Sequence, residues 1–207
     1  DGYYTAAYLS QKGYDVQIFA APTGDSSDLK QAILYAQLHK IQIEPNFAVP
    51  DQFDCHIDAL FGIGLNRKLD QNWQDILQHF NHLSGLKVAI DVPSGLHANT
   101  GQVLPVAIKA DITFTALAIK VGLVTGQAKE YVGQLEVISL IPCDEELQPV
   151  AYLTSSHIQL PKRQAFGHKG SYGHVLVVGG HANMGGAVIM AAEAAFHAGA
   201  GKVTVIC

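Results

Sequence analysis

Apolar residues recur at helical spacing in some segments of the chain and as short continuous runs in others. The helical spacing predicts helices over residues 3–12, 28–40 and 72–83. The apolar runs predict strands over residues 15–20, 55–60, 87–90, 111–115 and 134–140. Ser27 is the predicted N-cap of the second helix. Because strands and helices alternate, the pattern predicts an α/β fold: a doubly wound, mostly parallel sheet of Rossmann-like architecture with helices on both faces.

The alternation is interrupted between residues 142 and 173, where prolines, an acidic run at 144–146 and other polar residues are typical of a connection between domains. The apolar segment 174–180 then opens a new strand–loop–helix–strand unit. We therefore divide the chain into residues 1–150 and 151–207. The second part is too short to be a whole α/β domain.

The two ends of the sequence predict that it is a fragment of a longer protein. A helix follows Asp1-Gly2 directly, although doubly wound folds normally lead into their first helix through a strand and a glycine-rich loop. At the other end, the predicted strand 202–207 is the last segment of the sequence. We expect a segment before Asp1 and a longer second domain.

Composition narrows the class of partner. The chain has 13 Lys and Arg residues against 18 Asp and Glu, so its net charge of −5 argues against a nucleic-acid binder. Its three cysteines are widely spaced and fit a reducing cytoplasm. No apolar run approaches the roughly 20 residues of a membrane span. The expected partner is a small molecule, whereas the sequence leaves open whether the protein forms a homo-oligomer.

A buried acid followed by a glycine-containing loop is the first candidate site. Asp58 lies within an apolar strand, where a carboxylate needs a partner or a cation. The loop after it combines close backbone approach with two cationic side chains, which suits a phosphate group. Its residues are Gly62, Ile63, Gly64, Leu65, Asn66, Arg67 and Lys68. The structural alternative is a tight turn in which Asp58 acts only as a cap.

The second candidate site is the turn from Asp91 to Gly95, at the carboxyl end of a predicted strand. Ligands of open α/β sheets bind at such ends, so Asp91 is placed where a proton-transferring carboxylate would act. Ser94 adds a hydroxyl oxygen. A Gly-x-Ser-x-Gly motif is absent, which argues against a serine hydrolase. The structural alternative is an Asx-type turn stabilised by Asp91 itself.

Together, Asp58 and Ser94 provide oxygen ligands from two strand ends of one sheet. Oxygen ligands suit a hard cation, potassium among them. The ten histidines are scattered and form no pattern of the kind that zinc prefers.

These motifs, in this order, resemble the N-terminal domain of the NAD(P)H-hydrate repair enzymes. The resemblance rests on segments that begin at Asp1-Gly2, Asp58-Ala-Leu-Phe-Gly-x-Gly, Asp91-Val-Pro-Ser-Gly, Thr113-Phe-Thr-Ala-Leu-Ala-Ile-Lys-Val-Gly-Leu and Thr125-Gly. The family fuses an epimerase domain to an ADP- or ATP-dependent dehydratase domain of ribokinase-like fold.

The second part of the chain resembles the opening of that dehydratase domain. The matching segments begin at Lys169-Gly-x-Tyr-Gly, Val175-Leu-Val-Val-Gly-Gly, Asn183-Met-Gly-Gly-Ala and Ala198-Gly-Ala-Gly. Gly186 departs from the family, which commonly has proline there.

The resemblance implies roles for the candidate residues. Asp58 and Ser94 would be potassium ligands, Asp91 the acid/base at the damaged nicotinamide ring, and Lys120 an assistant through its charge. The loop Gly62–Lys68 would bind the phosphates of the substrate, and Asp1 and Ala187 would also contact substrate. A solvated lysine remains the alternative for Lys120.

The implied reaction interconverts the R and S epimers of NADHX and NADPHX, nicotinamide cofactors whose ring carries an added water. The full-length protein would also dehydrate S-NAD(P)HX with ADP or ATP, which residues 151–207 alone would not do. Three alternatives stay open: a non-catalytic nucleotide-binding module, a nicotinamide-dependent oxidoreductase and a ribokinase-type kinase. The sequence lacks the complete Gly-x-Gly-x-x-Gly signature that would support the oxidoreductase.

Overall fold

Strands and helices alternate in the computed structural model, as the hydrophobic pattern predicts. The structure describes residues 1–20, 26–45, 49–142, 148–154 and 162–207. The chain divides into two structural units, Asp1–Pro149 and Val150–Cys207. The acidic run predicted as part of a connection, residues 144–146, lies outside the described residues.

The first unit contains helices α1 to α3 and strands β1 to β6. The helices are α1 (Gly2–Gln11), α2 (Ser27–Leu38) and α3 (Gln71–His82). The strands are β1 (Gln17–Phe19), β2 (Gln42–Glu44), β3 (Cys55–Asp58), β4 (Leu86–Ile90), β5 (Ile112–Ala116) and β6 (Gln134–Ile138). Two short 3-10 helices, Val121–Leu123 and Ala128–Glu130, follow β5.

The main sheet of this unit is fully parallel, with strand order β3-β4-β5-β6. β1 and β2 form a separate parallel pair. Parallel neighbours joined by helical crossovers are typical of doubly wound α/β folds, so the predicted fold class is confirmed. All four carboxyl ends of the main sheet point in one direction.

One local prediction is wrong, and one strand lacks a prediction. The side chain of Ser26, not Ser27, caps α2 by accepting a hydrogen bond from the backbone N–H of Leu29 at 3.3 Å. The sequence places two serines side by side, and either can serve as a cap. Strand β2 was not predicted, because its three residues carry a single apolar side chain, Ile43, between two polar ones.

An apolar cluster under the glycine-containing loop fixes the position of that loop. Its buried members include Leu65 and Leu69 from the loop region, Leu77 from α3, and Leu104 and Ile108. The first turn of α3 is capped by Asp70, whose side chain accepts from the backbone N–H of Trp73 at 3.1 Å. The loop between β3 and α3 is thus anchored at its distal end by core packing.

The second unit contains a parallel βαβ unit, as predicted. It consists of β7 (His174–Val178), α4 (Gly186–His197) and β8 (Lys202–Ile206), and β7 pairs with β8 in parallel. Ala187 lies in the first turn of α4 and is exposed. No helix among the described residues of either unit is long and apolar enough to cross a membrane.

A buried histidine on β3 lies in an environment that disfavours its protonated form. His56 is 4% exposed, and its ring lies edge-on to Phe53 and Phe80 at centroid distances of 6.0 and 5.9 Å. Among the described residues, its Nε2 has no hydrogen-bond partner. Burial lowers the pKa of His56 below the usual 6.5, although a hydrogen bond with the Ser84 backbone opposes the shift. The native state therefore favours the neutral form of this imidazole.

We expect the contribution of His56 to the free energy of unfolding to fall as the pH falls below about 6.5, because the unfolded chain then binds a proton that native His56 resists. His56→Phe should lose less stability than the parent between about pH 7.5 and about pH 5.5 in urea titrations. Comparing the two proteins removes the contribution of groups that titrate in both. Equal losses would show that another group controls the pH dependence.

Candidate active site

Polar side chains from the predicted motifs lie together at the carboxyl edge of the main sheet. Asp58 is the last residue of β3, Asp91 directly follows β4, and Thr115 is the penultimate residue of β5. Because the strands are parallel and adjacent, their carboxyl ends meet at one edge. Ligands of open α/β sheets bind at this edge.

Asp58 and Ser94 are joined by two hydrogen bonds across 36 residues of sequence. Ser94 donates its hydroxyl to Oδ1 of Asp58 at 2.6 Å and its backbone N–H to Oδ2 at 2.7 Å. The backbone N–H of Leu60 also donates to Oδ1, at 3.2 Å. In turn, the Ser94 hydroxyl accepts from the backbone N–H of Phe61 at 3.0 Å. These bonds attach the segment after β3 to the turn after β4.

The Asp58 carboxyl group carries an unfavourable charge. It is 1% exposed, and burial raises its pKa to about 6, although the hydrogen bonds from Ser94 and Leu60 oppose that shift. Among the described residues, no Lys or Arg forms an ion pair with it. A positive charge beside this carboxylate would therefore be favourable, and oxygen donors of this kind suit a hard cation.

Asp91 has a left-handed backbone conformation, with φ of 68°. Its N–H donates to the carbonyl of Phe114 at 2.7 Å, which holds the residue against β5 while the chain turns away from β4. Its side chain is 18% exposed. Among the described hydrogen bonds, none joins the Asp91 carboxylate to the backbone of its own turn, so the Asx-turn alternative is not what the structure shows.

Lys120 lies beside Asp91, as a charge-assisting role requires. Its Nζ is 2.5 Å from Oδ1 of Asp91, and it also donates to the carbonyl of Ala116 at 2.8 Å and to the hydroxyl of Thr115 at 3.0 Å. The alternative of a solvated lysine is therefore wrong. Thr115 lies within one of the motifs that carry the family resemblance, but no role is predicted for it from the sequence. The signal that could have identified it is a pair of hydroxyl side chains, Thr113 and Thr115, at alternate positions of an apolar strand.

Gly62 allows the loop after β3 to approach Asp91 closely. A Cβ atom at position 62 would lie 3.3 Å from Oδ2 of Asp91. Gly2, in the first turn of α1, is similarly close to Ala59, where a Cβ would lie 2.7 Å from the Ala59 Cβ. Asp1, the exposed N-cap residue of α1, is thereby placed next to the strand end that carries Asp58.

The other residues of the loop Gly62–Lys68 differ in how far they are exposed. The side chain of Leu65 is buried in the apolar cluster, so only its backbone is available to a ligand. Ile63, Gly64, Asn66, Arg67 and Lys68 are exposed. Neither Arg67 nor Lys68 forms an ion pair with another described residue. Ala187 belongs to the second unit.

In the part of the chain that the structure describes, other metal-binding side chains are not grouped at this edge. Among the described residues, no group of three or more His, Cys, Asp or Glu side chains could hold a metal ion. Cys55 and Cys207 are free and exposed, whereas Cys143 lies outside the described residues. The chemistry of the edge therefore depends on Asp58, Asp91 and the groups that contact them.

Comparison with known proteins agrees with this architecture. A crystal structure of the yeast protein ynu0 superposes with a TM-score of 0.60 at 16% sequence identity, covering 74% of this chain and 69% of that one. At this identity the match shows the fold alone. It supports the Rossmann-like assignment of the first unit.

Curated relatives match almost the whole chain. The bifunctional NAD(P)H-hydrate repair enzyme Nnr of Vibrio cholerae is 39% identical over 97% of this chain. The enzyme of the same name from Escherichia coli is 34% identical over all of it. The chain spans 42% of the length of each of these relatives.

The profile of the family described as "YjeF-related protein N-terminus" matches residues 1–122. This range includes the residues described above at the carboxyl edge of the main sheet, from Asp1 to Lys120. Together with the curated relatives, the match confirms the resemblance drawn from the motifs. The chain belongs to the family of YjeF-related N-terminal domains.

Proposed function

We propose that the first unit is an NAD(P)H-hydrate epimerase, which interconverts the R and S epimers of NADHX and NADPHX. The observation that carries the proposal is the Asp91 carboxylate: Lys120 and Thr115 contact its Oδ1, whereas its Oδ2 faces the loop at Gly62. Two of the relatives are bifunctional NAD(P)H-hydrate repair enzymes by name.

Asp91 acts in this proposal as the acid and base. Among the described residues, no hydrogen bond is donated to its Oδ2, so this oxygen can exchange a proton with a ligand. The proton that Asp91 would exchange belongs to the hydroxyl on the hydrated ring carbon or to the atom next to that carbon. A carboxylate placed within hydrogen-bond reach of such a group provides general acid–base catalysis.

The loop Gly62–Lys68 is the proposed binding site for the phosphate groups of the substrate. Arg67 and Lys68 are exposed and form no ion pair with the described residues, so both charges can meet a phosphate. The glycines let the backbone N–H groups approach the same ligand. A loop held by core packing through Leu65 presents these groups with little loss of entropy on binding.

Potassium is the cation that we propose for Asp58 and Ser94. The fit rests on their chemistry: a buried carboxylate with a raised pKa and a hydroxyl oxygen beside it. A bound potassium ion would balance the charge of Asp58 and of nearby phosphates. The residues of this chain would still hold the loop after β3 in place through Leu60 and Phe61.

We further propose that the second unit belongs to a dehydratase domain of ribokinase-like fold in the complete gene product. That domain would remove water from S-NAD(P)HX at the expense of ADP or ATP. The support is the match of the bifunctional relatives across both units and the parallel βαβ unit with Ala187 at the start of its helix. A cytoplasmic location is part of the same proposal.

The test is an epimerisation assay on the complete gene product that contains these residues. Purified R-NADPHX should be converted to the S form, as read by chiral chromatography, and replacing potassium by sodium should slow the conversion. Ser94→Ala should remove most of the response to potassium. Binding of the ligand without conversion would instead favour a non-catalytic nucleotide-binding module, and the same result would overturn the proposed activity.

A further inference from the structure

The ammonium group of Lys120 is fully engaged by the protein itself. A lysine ammonium has three N–H donors, and Nζ of Lys120 has three acceptors within hydrogen-bond distance. They are Oδ1 of Asp91, the carbonyl of Ala116 and the hydroxyl of Thr115. No donor of Lys120 is left for a ligand in this arrangement. The lysine can therefore not donate a hydrogen bond to a substrate, and its direct contacts are with the groups that it holds.

Thr115 completes a three-membered cluster with Lys120 and Asp91. It is 0% exposed, and its hydroxyl accepts from Lys120 at 3.0 Å and donates to Oδ1 of Asp91 at 3.5 Å. A threonine on a strand has a restricted χ1, so its hydroxyl position is set by the backbone. Since β5 pairs directly with β4, that backbone is fixed relative to Asp91.

We propose that Thr115 is a positioning residue for the reaction, an inference that rests on the proposed epimerase function. Its hydroxyl fixes the ammonium of Lys120, and the two groups together occupy Oδ1 of Asp91. This leaves Oδ2, on the side of Gly62, as the oxygen that exchanges a proton with the substrate. Thr115 itself touches no substrate atom.

The chain offers a matched control two residues earlier on the same strand. Thr113 is also 0% exposed, but its hydroxyl donates to the carbonyl of Val132 at 2.7 Å, and none of its described hydrogen bonds involves Asp91 or Lys120. Replacing either threonine by valine removes one buried hydroxyl and preserves the β-branched shape. Loss of folding stability is expected from both variants, so a purely structural role would make them behave alike.

We expect Thr115→Val to lower kcat by about tenfold to a hundredfold with little change in KM, because the lost hydrogen bond involves charged groups. Thr113→Val should retain the parental kcat. Thr115→Ser keeps the hydroxyl and should restore most of the rate. Equal kcat values for Thr115→Val and Thr113→Val would overturn the proposal, as would failure of the serine variant to recover.

A second measurement does not depend on epimerase activity. A lysine ammonium held by three acceptors exchanges its protons slowly, so Lys120 should give a ¹H–¹⁵N signal in NMR spectra, assigned by its loss in Lys120→Met. The signal should vanish in Thr115→Val and persist in Thr113→Val. If the parent lacks epimerase activity but the signal responds this way, the proposed function fails, whereas the fixing of the Lys120 ammonium by Thr115 stands. A signal that persists in Thr115→Val overturns the positioning role.

Discussion

Asp91→Asn is expected to lower kcat for epimerisation by about 10²–10⁴-fold, the usual contribution of a general acid or base. An amide cannot exchange a proton at this position, whereas its size and its ability to accept a hydrogen bond from Lys120 are retained. Ligand affinity, measured by isothermal titration calorimetry with R-NADPHX, should therefore change far less than kcat. This difference separates proton transfer from binding.

The backbone at Asp91 determines which substitution is informative. Its φ of 68° lies in the left-handed region, where Asn is tolerated and most other residues are strained. Alanine at this position would combine the loss of the carboxylate with strain of about 1–3 kcal/mol, and a loss of activity would then have two causes. Asparagine removes the charge and one acceptor oxygen without adding backbone strain.

Asp111 provides a matched control for Asp91→Asn. It is an exposed aspartate directly before β5, and its Oδ2 accepts from the backbone N–H of Lys87 at 2.8 Å. Lys87 lies near the amino end of β4, so Asp111 is at the opposite edge of the sheet from Asp91. Asp111→Asn should retain the parental kcat. If Asp91→Asn retained a rate within about threefold of the parent, Asp91 could not be the general acid or base.

The sequence was informative about which elements form and where the strand ends bring residues together. The pairing of Asp58 with Ser94 could be anticipated, because both follow buried strands that a parallel fold aligns at one edge. The same reasoning placed Asp91 there. These inferences need only the alternation of strands and helices and the direction of the strands.

The sequence was uninformative about contacts that depend on backbone geometry. The donors that hold Asp58 and Ser94 include the main-chain N–H groups of Leu60 and Phe61, which every residue type has. The Thr115 hydroxyl reaches Lys120 only because the chain folds back after β5 within five residues. Side-chain chemistry marks the reactive groups, whereas main-chain conformation decides how they are held.

Gly95, which follows Ser94, shows how strongly that main-chain conformation is constrained. Its φ is 92°, and a Cβ there would overlap the carbonyl oxygen of Val106 and lie 2.7 Å from Cα of Ala107. Two backbone hydrogen bonds fix this close approach: Leu104 N–H to the Gly95 carbonyl and Ile108 N–H to the Ser94 carbonyl, both at 2.9 Å. Residues 104–108 can therefore not move away from Gly95 without breaking hydrogen bonds next to Ser94.

We expect Gly95→Ala to destabilise the first unit by about 3 kcal/mol or more, because an unfavourable φ and an overlap with backbone atoms act together. Unfolding in urea can be followed through Trp73, the single tryptophan of the chain, which packs against Phe61. Gly64→Ala is the control for stability, since a Cβ at position 64 has no neighbour within 4 Å. Its free energy of unfolding should stay within about 0.5 kcal/mol of the parent.

The two glycine variants separate a general effect of alanine from the geometry around Ser94. If the free energy of unfolding of Gly95→Ala stayed within about 1 kcal/mol of that of the parent, Val106 and Ala107 could not lie against Gly95 as the structure has them. If it is destabilised as expected, the folded fraction should also respond less to potassium than the parent does. The Ser94 carbonyl and hydroxyl belong to one residue, and moving its backbone displaces the oxygen proposed for the cation.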